Sequence, residues 1–318
     1  MNAQRQDKLV LHAKVGVAGR YRLRVGKRGQ KPRIDTGWFD NLVTDVGLDF
    51  MGSGFNWLDA CKVGSGTATP TAGDTALASF VAGTTTQEVV NVTAQASPPW
   101  YGSTTITYRF AEGVAAGNLS EVGIGTDPEA ITGTLFSRAL ITDSNGNPTT
   151  ITVLSDELLD VTYQIQLVPP TTDTTFNVTD SGPNGTVHTV TLRASNVDTA
   201  SGTSSWSVGS NGFEVEIPAT SIAVKAWSGA LGTIDAGPSG SQGNSTSIVT
   251  DAYVGSSLER TGTATFGLSA ANFNIAALQF VFSGAGTWQA GFDPVIPKTS
   301  TKTLAFDLKV SWTRTTAL

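Results

Sequence analysis

The chain has 318 residues, enough to build two domains with separate cores. Charged residues make up only 14% of it, and it contains a single cysteine, Cys61, and two histidines. One cysteine excludes an internal disulfide, and the apolar content is too high for a disordered chain. Since no apolar run approaches the roughly 20 residues that span a bilayer, we expect no membrane insertion.

The net charge of −6 conceals an uneven distribution. Residues 1–33 hold ten of the twenty Lys and Arg residues and one acid, Asp7, so the acids lie almost entirely in the rest of the chain. This asymmetry indicates a basic surface that meets an acidic partner, nucleic acid, or the acidic body of another copy.

Residues 1–33 are predicted to form a basic N-terminal β-arm. Apolar residues fill the odd positions from Leu9 to Val25 and cations fill even ones, the period of a strand with one buried face. Gly16 and Gly19 allow a bend or bulge. The cations either protect a solvated sheet edge or contact an acidic neighbour; DNA is disfavoured because no aromatic residues interleave with them. The candidate assembly residues are His12, Lys14, Arg20, Arg22, Arg24, Lys27 and Arg28.

The remaining chain is predicted to be all-β, with two antiparallel β-sandwich lobes and at most short helices. Alternating strands with Gly, Pro and Asn punctuation predict one sandwich over 34–170 and a second over 171–318, separated where Pro169 and Pro170 remove ladder donors. Short helices are expected near 45–51 and 74–78. Asn145 and Gly146 indicate a hairpin turn, since both accept positive φ.

The two lobes repeat one pattern, which indicates an internal duplication. Each contains a Thr-rich strand, an Asn-led apolar strand, a Gly-Thr step and a closing strand of alternating apolar residues. The closing strands are 159–167 in the first lobe and 304–312 in the second. Repeated β-modules favour an architectural protein over a catalytic one.

The sequence offers no catalytic constellation, metal-ligand spacing or cofactor motif, so no enzyme activity, metal or cofactor is expected. His12 and His188 are far apart, and neither has zinc-type spacing. Glu214 and Glu216 would share one strand face, which leaves glycan hydrolysis as a weakly supported alternative. Trp100 and Tyr101 follow two prolines and are candidates for an aromatic contact.

The block from Gly37 to Pro170 resembles tail and fibre-associated structural proteins of tailed bacteriophages. The resemblance rests on four ordered stretches within this block, which spans about 40% of the chain: 38–49; 63–67 with Pro70 and 74–77; 110–113 with 119–124; and 135–140 continuing through 156–163. It implies a virion component and supplies no catalytic residues.

We therefore expect a non-enzymatic virion protein of the tail, baseplate or collar that forms a symmetric ring or links fibres to the particle. It would be assembled in the bacterial host cytoplasm. Its expected partners are other virion proteins and copies of itself, and nucleic acid is not expected. A host-surface polysaccharide receptor-binding protein and a capsid decoration protein remain as alternatives.

Overall fold

The computed structural model describes residues 6–53, 57–129, 134–180, 185–199, 206, 224–282 and 284–318. Twenty-two strands and one short helix lie in these ranges, which confirms the all-β prediction. The elements of the first half are β1 Gln6–Gly26, β2 Ile34–Asp35, β3 Phe39–Asp40, β4 Leu42–Val43, α1 Asp45–Ser53, β5 Ala60–Gly64, β6 Phe80–Thr84, β7 Gln87–Ala94, β8 Gly102–Phe110, β9 Gly117–Leu119, β10 Glu121–Gly125, β11 Leu135–Leu140, β12 Ile151–Val153 and β13 Leu158–Val168.

The second half contains strands alone among the described residues. They are β14 Thr174–Thr179, β15 Val187–Ser195, β16 Val224–Trp227, β17 Gln242–Asn244, β18 Ser247–Thr250, β19 Glu259–Phe266, β20 Asn274–Phe282, β21 Gly286–Pro297 and β22 Thr303–Arg314.

Three sheets hold most of the described strands. A nine-stranded sheet has the order β18-β19-β22-β1-β13-β8-β7, with β2 and β3 also pairing with β1. A five-stranded sheet has the order β4-β11-β10-β5-β6, and a six-stranded sheet has the order β14-β15-β21-β20-β16-β17. Strands β9 and β12 form a separate pair.

The two smaller sheets cover opposite ends of the nine-stranded sheet. On the first half, the buried Tyr21 hydroxyl of β1 hydrogen-bonds with the Ser137 hydroxyl of β11 at 2.6 Å. On the second half, Phe292 of β21 packs on Phe306 of β22 with ring centroids 5.8 Å apart. The apolar residues between the sheets form a continuous core, as expected for sandwich packing.

The topology repeats strand for strand, as the internal duplication predicts. In each half, eight strands follow one another along the chain and occupy equivalent places in the sheets. All the pairs they form are antiparallel. The series is β4, β5, β6, β7, β8, β10, β11, β13 in the first half and β15 to β22 in the second.

Strand β1 joins the two halves, which corrects the expected arm and edge strand. Its residues 6–17 pair in parallel with β22, and its residues 16–26 pair antiparallel with β13. The flanking strands therefore run in opposite directions, as a pseudo-twofold axis through the middle of β1 requires. The strands of the five-stranded sheet all precede residue 170, and those of the six-stranded sheet all follow it. The nine-stranded sheet contains strands from all three predicted segments.

No bulge interrupts β1, so Gly16 and Gly19 serve a different purpose from the one predicted. Both registers of the strand run through this region without a shift. A Cβ on Gly19 would collide with the hydroxyl of Tyr163, and one on Gly16 would press against the side chain of Thr315. The two glycines therefore allow close approach of neighbouring side chains.

Candidate assembly surface

The alternation predicted for β1 is confirmed by side-chain burial. The odd-numbered apolar residues from Leu9 to Val25 lie in the core, whereas His12, Lys14, Arg20, Arg22 and Arg24 lie on the outer face of the nine-stranded sheet. The cations therefore share one face of one strand. Their partners along that face decide whether a foreign acidic surface can reach them.

The arginines of β1 are already engaged within the chain. Arg22 makes a two-pronged contact with Asp35, with Nε 2.8 Å from Oδ1 and Nη2 2.6 Å from Oδ2. Arg24 reaches the same carboxylate at 3.2 Å. The hydrogen bond from Arg22 lowers the pKa of Asp35 to about 2. These two arginines therefore hold strand β2 against β1, because that is where Asp35 lies.

Arg20 is engaged through its side chain as well. Its Nε donates to Oε1 of Gln164 at 2.8 Å, and its guanidinium lies 4.9 Å from the ring centroid of Trp38. A cation over an indole face is attracted to the ring electrons. Arg20 thus orients Trp38, which is 39% exposed.

The other half of β1 carries His12 and Lys14. Nε2 of His12 lies 2.9 Å from the hydroxyl of Ser311 on β22. Burial, together with the nearby charges of Lys309 and Lys14, lowers the pKa of His12, so its ring is mainly neutral at pH 7. Lys14 is exposed and makes no hydrogen bond or ion pair with the described part of the chain. Of these two residues, Lys14 alone carries a cation available to a partner.

The turn after β1 carries a group of exposed cations. Lys27, Arg28 and Lys31, which we name the basic turn, are all exposed, and Gly29 permits the bend with a φ of +73°. Lys27 pairs with the exposed Asp156 at 2.6 Å. The Arg28 side chain is 72% exposed and lies 3.9 Å from Glu112. Exposed pairs of this kind are screened by solvent and stabilise a protein only weakly, so a partner can displace them.

The two residues predicted to make an aromatic contact are less exposed than the cations of the basic turn. Trp100 and Tyr101 are both half-buried, and Trp100 packs against the core. Neither therefore presents an open ring face of the kind that stacks on a ligand. Trp38 is the one aromatic residue among the large apolar side chains that are exposed in the described ranges. The sequence patterns predicted no contact for Trp38. The preceding Gly37, which takes a φ of +71°, is the sequence signal for a turn at this position.

Glu121, Arg138 and Asp74 form a largely buried ion-pair cluster. The Glu121 carboxylate of β10 accepts a hydrogen bond from Nε of Arg138 at 2.9 Å. It also accepts hydrogen bonds at 2.7–3.0 Å from three backbone N–H groups, those of Gly66, Ala78 and Ser79. Arg138 reaches Asp74 at 2.5 Å. The cluster fastens the loop 65–79 to the five-stranded sheet. The sequence contains all of its members, but their pairing joins distant residues and was not predicted.

The described residues hold no group of three or more His, Cys, Asp or Glu side chains placed to bind a metal ion. Cys61 is buried, and burial raises the pKa of its thiol, so it is a poor nucleophile. Glu214 and Glu216 lie outside the described residues. Within the described ranges, none of the helical structure is both long and apolar enough to cross a bilayer.

The architecture and the basic turn define a duplicated β-sandwich protein with an exposed cationic turn. Searches against protein-family models, curated proteins and solved structures return no match to this chain.

Proposed function

We propose that this protein is a non-enzymatic structural component of a bacteriophage virion, located in the tail, baseplate or collar. In this proposal it forms part of a symmetric ring or links fibres to the particle, and it is assembled in the bacterial host cytoplasm. Its basic turn binds an acidic surface on another virion protein or on a second copy. The observation that carries the proposal is this exposed turn on a chain whose net charge is −6.

The architecture supports a load-bearing role. One 21-residue strand, β1, runs through both halves of the nine-stranded sheet, so the two lobes are joined by hydrogen bonds along their length. The lobes are also fastened from the side, because Nε1 of Trp312 on β22 donates to the carbonyl of Leu48 on α1 at 2.8 Å. Because paired strands and not a flexible linker join the two lobes, the protein can transmit force between neighbouring virion proteins.

The charge pattern supports a heterologous contact. Ring and linker interfaces bring unlike surfaces together, so a cationic surface on one subunit should meet an anionic one on its neighbour. The arginines on β1 are satisfied internally and Lys14 is a single exposed cation on the strand, so the basic turn is the group of exposed cations that serves this purpose. This narrows the assembly surface predicted from sequence to the cations beyond the strand.

The proposal is tested by particle incorporation with matched charge reversals. Arg28→Glu and Lys14→Glu each change the charge by two units at an exposed position. Gradient-purified particles from the phage that encodes the chain are probed with an antibody against it, and immunogold labelling locates it. We expect labelling at the tail and at least tenfold less Arg28→Glu than Lys14→Glu or wild type. Absence of the chain from particles would contradict the proposal, and labelling of the head would favour a capsid decoration protein.

Trp38 favours a host-surface glycan receptor-binding protein as the second candidate. Its exposed indole is held by Arg20 beside polar side chains of the outer face, an arrangement suited to stacking on a sugar. Binding of the purified chain to host envelope polysaccharide, abolished by Trp38→Ala and retained by Trp100→Ala, would support this function. Particles that contain Trp38→Ala and still adsorb normally would exclude it.

A further inference from the structure

We propose that the outer edge of β7 pairs with β7 of a second copy, antiparallel and around a twofold axis at Asn91, to form a dimer. The proposal does not depend on the virion assignment, and it concerns a surface other than the basic turn. It follows from the exposure of β7, the direction of its backbone groups and its charge.

Strand β7 is an eight-residue edge of the nine-stranded sheet whose outer side pairs with no other described strand. Residues 87–93 are all exposed, and Val89, Val90 and Val92 are between 40% and 47% exposed. Long apolar edges are uncommon in monomeric proteins because they recruit other strands. The equivalent edge of the second half, β18, is protected by its length of four residues.

The pairing of β7 with β8 fixes which backbone groups face outward. The N–H of Gln95 donates to the carbonyl of Tyr101, which continues the register that pairs Asn91 with Thr105. In an antiparallel ladder, alternate residues direct both backbone groups toward the same neighbour. Residues 89, 91, 93 and 95 therefore bond to β8, and residues 90, 92 and 94 direct their N–H and carbonyl groups to the outer edge.

One register pairs the outward groups of Val90 and Val92 with those of the second copy. A twofold axis at Asn91 places Val90 opposite Val92 of the second copy, Val92 opposite its Val90, and Ala94 opposite its Glu88. Val90 lies beside Ile106 of β8, on the face that carries the buried side chains of that strand. The apolar stripe of the sheet would therefore continue across the dimer through paired β-branched residues, which stabilise cross-strand contacts.

The charge of β7 suits a copy of itself. Glu88 is the only charged residue in the strand, and its carboxylate lies 3.2 Å from Arg109 of the same chain. In the proposed register the two Glu88 residues lie at opposite ends of the strand pair, so no like charges oppose each other. Because Arg109 already neutralises the one charge of the strand, β7 has little electrostatic attraction for an acidic or basic partner.

The experiment measures the mass of the purified full chain by light scattering and sedimentation velocity at tens of micromolar. We expect twice the monomer mass of 33.0 kDa for wild type and a single monomer mass for Val90→Lys/Val92→Lys, in which lysines would face each other across the seam. The control Val249→Lys/Val254→Lys changes two valines that are also exposed and should remain dimeric. Circular dichroism and thermal unfolding establish that each variant is folded.

A cross-linking experiment tests the register. Residues facing each other in a non-hydrogen-bonded antiparallel pair have Cα atoms about 4.5 Å apart, within the range that a disulfide spans. Asn91→Cys should therefore form a disulfide-linked dimer under mild oxidation, whereas Thr93→Cys, which would face Val89, should form at least tenfold less. The buried Cys61 should not react. A monomeric wild type, a dimer that survives the two lysines, or equal cross-linking of both cysteine variants would overturn the proposal.

Discussion

Arg138 donates a hydrogen bond from Nε to the carboxylate of Glu121 at 2.9 Å, and both side chains are buried. The carboxylate also accepts three backbone N–H groups from the loop 65–79, so a single acid holds a sheet and a loop together. Charges are costly to bury unless they are paired and hydrogen-bonded. The arrangement therefore fixes the conformation of an otherwise irregular surface loop.

Replacing Glu121 with Gln should destabilise the protein strongly. The substitution keeps the size of the side chain but leaves the buried Arg138 with the partly exposed Asp74 as its charge partner, and breaking a buried pair typically costs about 3–5 kcal/mol. The control is Arg22→Gln, which breaks the exposed pair with Asp35 and should cost about 0–1 kcal/mol. Urea unfolding of both variants measures the difference. Equal losses would show that the buried pair does not stabilise the loop.

The stability of the protein should fall as the pH drops from about 4 to about 2. The hydrogen bond from Arg22 lowers the pKa of Asp35 from 3.8 to about 2, and that from Arg33 lowers the pKa of Glu157 from 4.5 to about 2. A lowered pKa in the folded state gives stability that is present above the unfolded pKa and is lost as the carboxylate becomes protonated.

Urea midpoints measured across this pH range test the assignment. Asp35→Asn should flatten part of the pH dependence, and Arg22→Gln should flatten it similarly because it breaks the same pair from the other side. A variant curve that keeps the full slope of the wild type would place the titrating groups elsewhere.

Gly19→Ala should destabilise the first half of the molecule by about 1–3 kcal/mol, the usual cost of overpacking. Its Cβ would occupy the space of the Tyr163 hydroxyl, which accepts a hydrogen bond from Asn41 at 3.2 Å. Gly73→Ala provides the control, since its Cβ would meet no atom within 4 Å. Thermal unfolding should also show that Tyr163→Phe restores part of the loss in the double variant. A Gly19→Ala protein as stable as Gly73→Ala would contradict the steric argument.

The local sequence pattern predicted much of the secondary structure, because secondary structure depends strongly on residues that are neighbours in the chain. The alternation of β1, the hairpin turn at Gly146 with its φ of +80°, and a helix near 45–51 are all present. Thr44 explains the start of that helix, since its hydroxyl accepts the Gly47 N–H at 2.9 Å. The predicted helix at 74–78 was wrong. Asp74 there bonds to Thr71 and Arg138 in a turn.

Long-range partners could not be predicted from the same patterns. The alternation of apolar and polar residues specifies which face of β1 is buried. It does not specify that the strand lies beside β22, nearly 300 residues further along the chain. Cations on the outer face looked available because their partner was unknown. Asp35 satisfies two of them only after the turn at 27–33 folds back against β1.

The first half of β1 should contribute to the core as an internal strand does, which separates the observed fold from a dispensable arm. Leu11 is fully buried beside Leu308 of β22, so Leu11→Ala should lower the free energy of unfolding by about 2–5 kcal/mol. The adjacent Val10 is 51% exposed on the other face, so Val10→Ala should change it by no more than about 0.5 kcal/mol. Urea unfolding of both variants gives the comparison. If both were neutral, residues 6–17 would act as a detachable arm and the pairing with β22 would not contribute to stability.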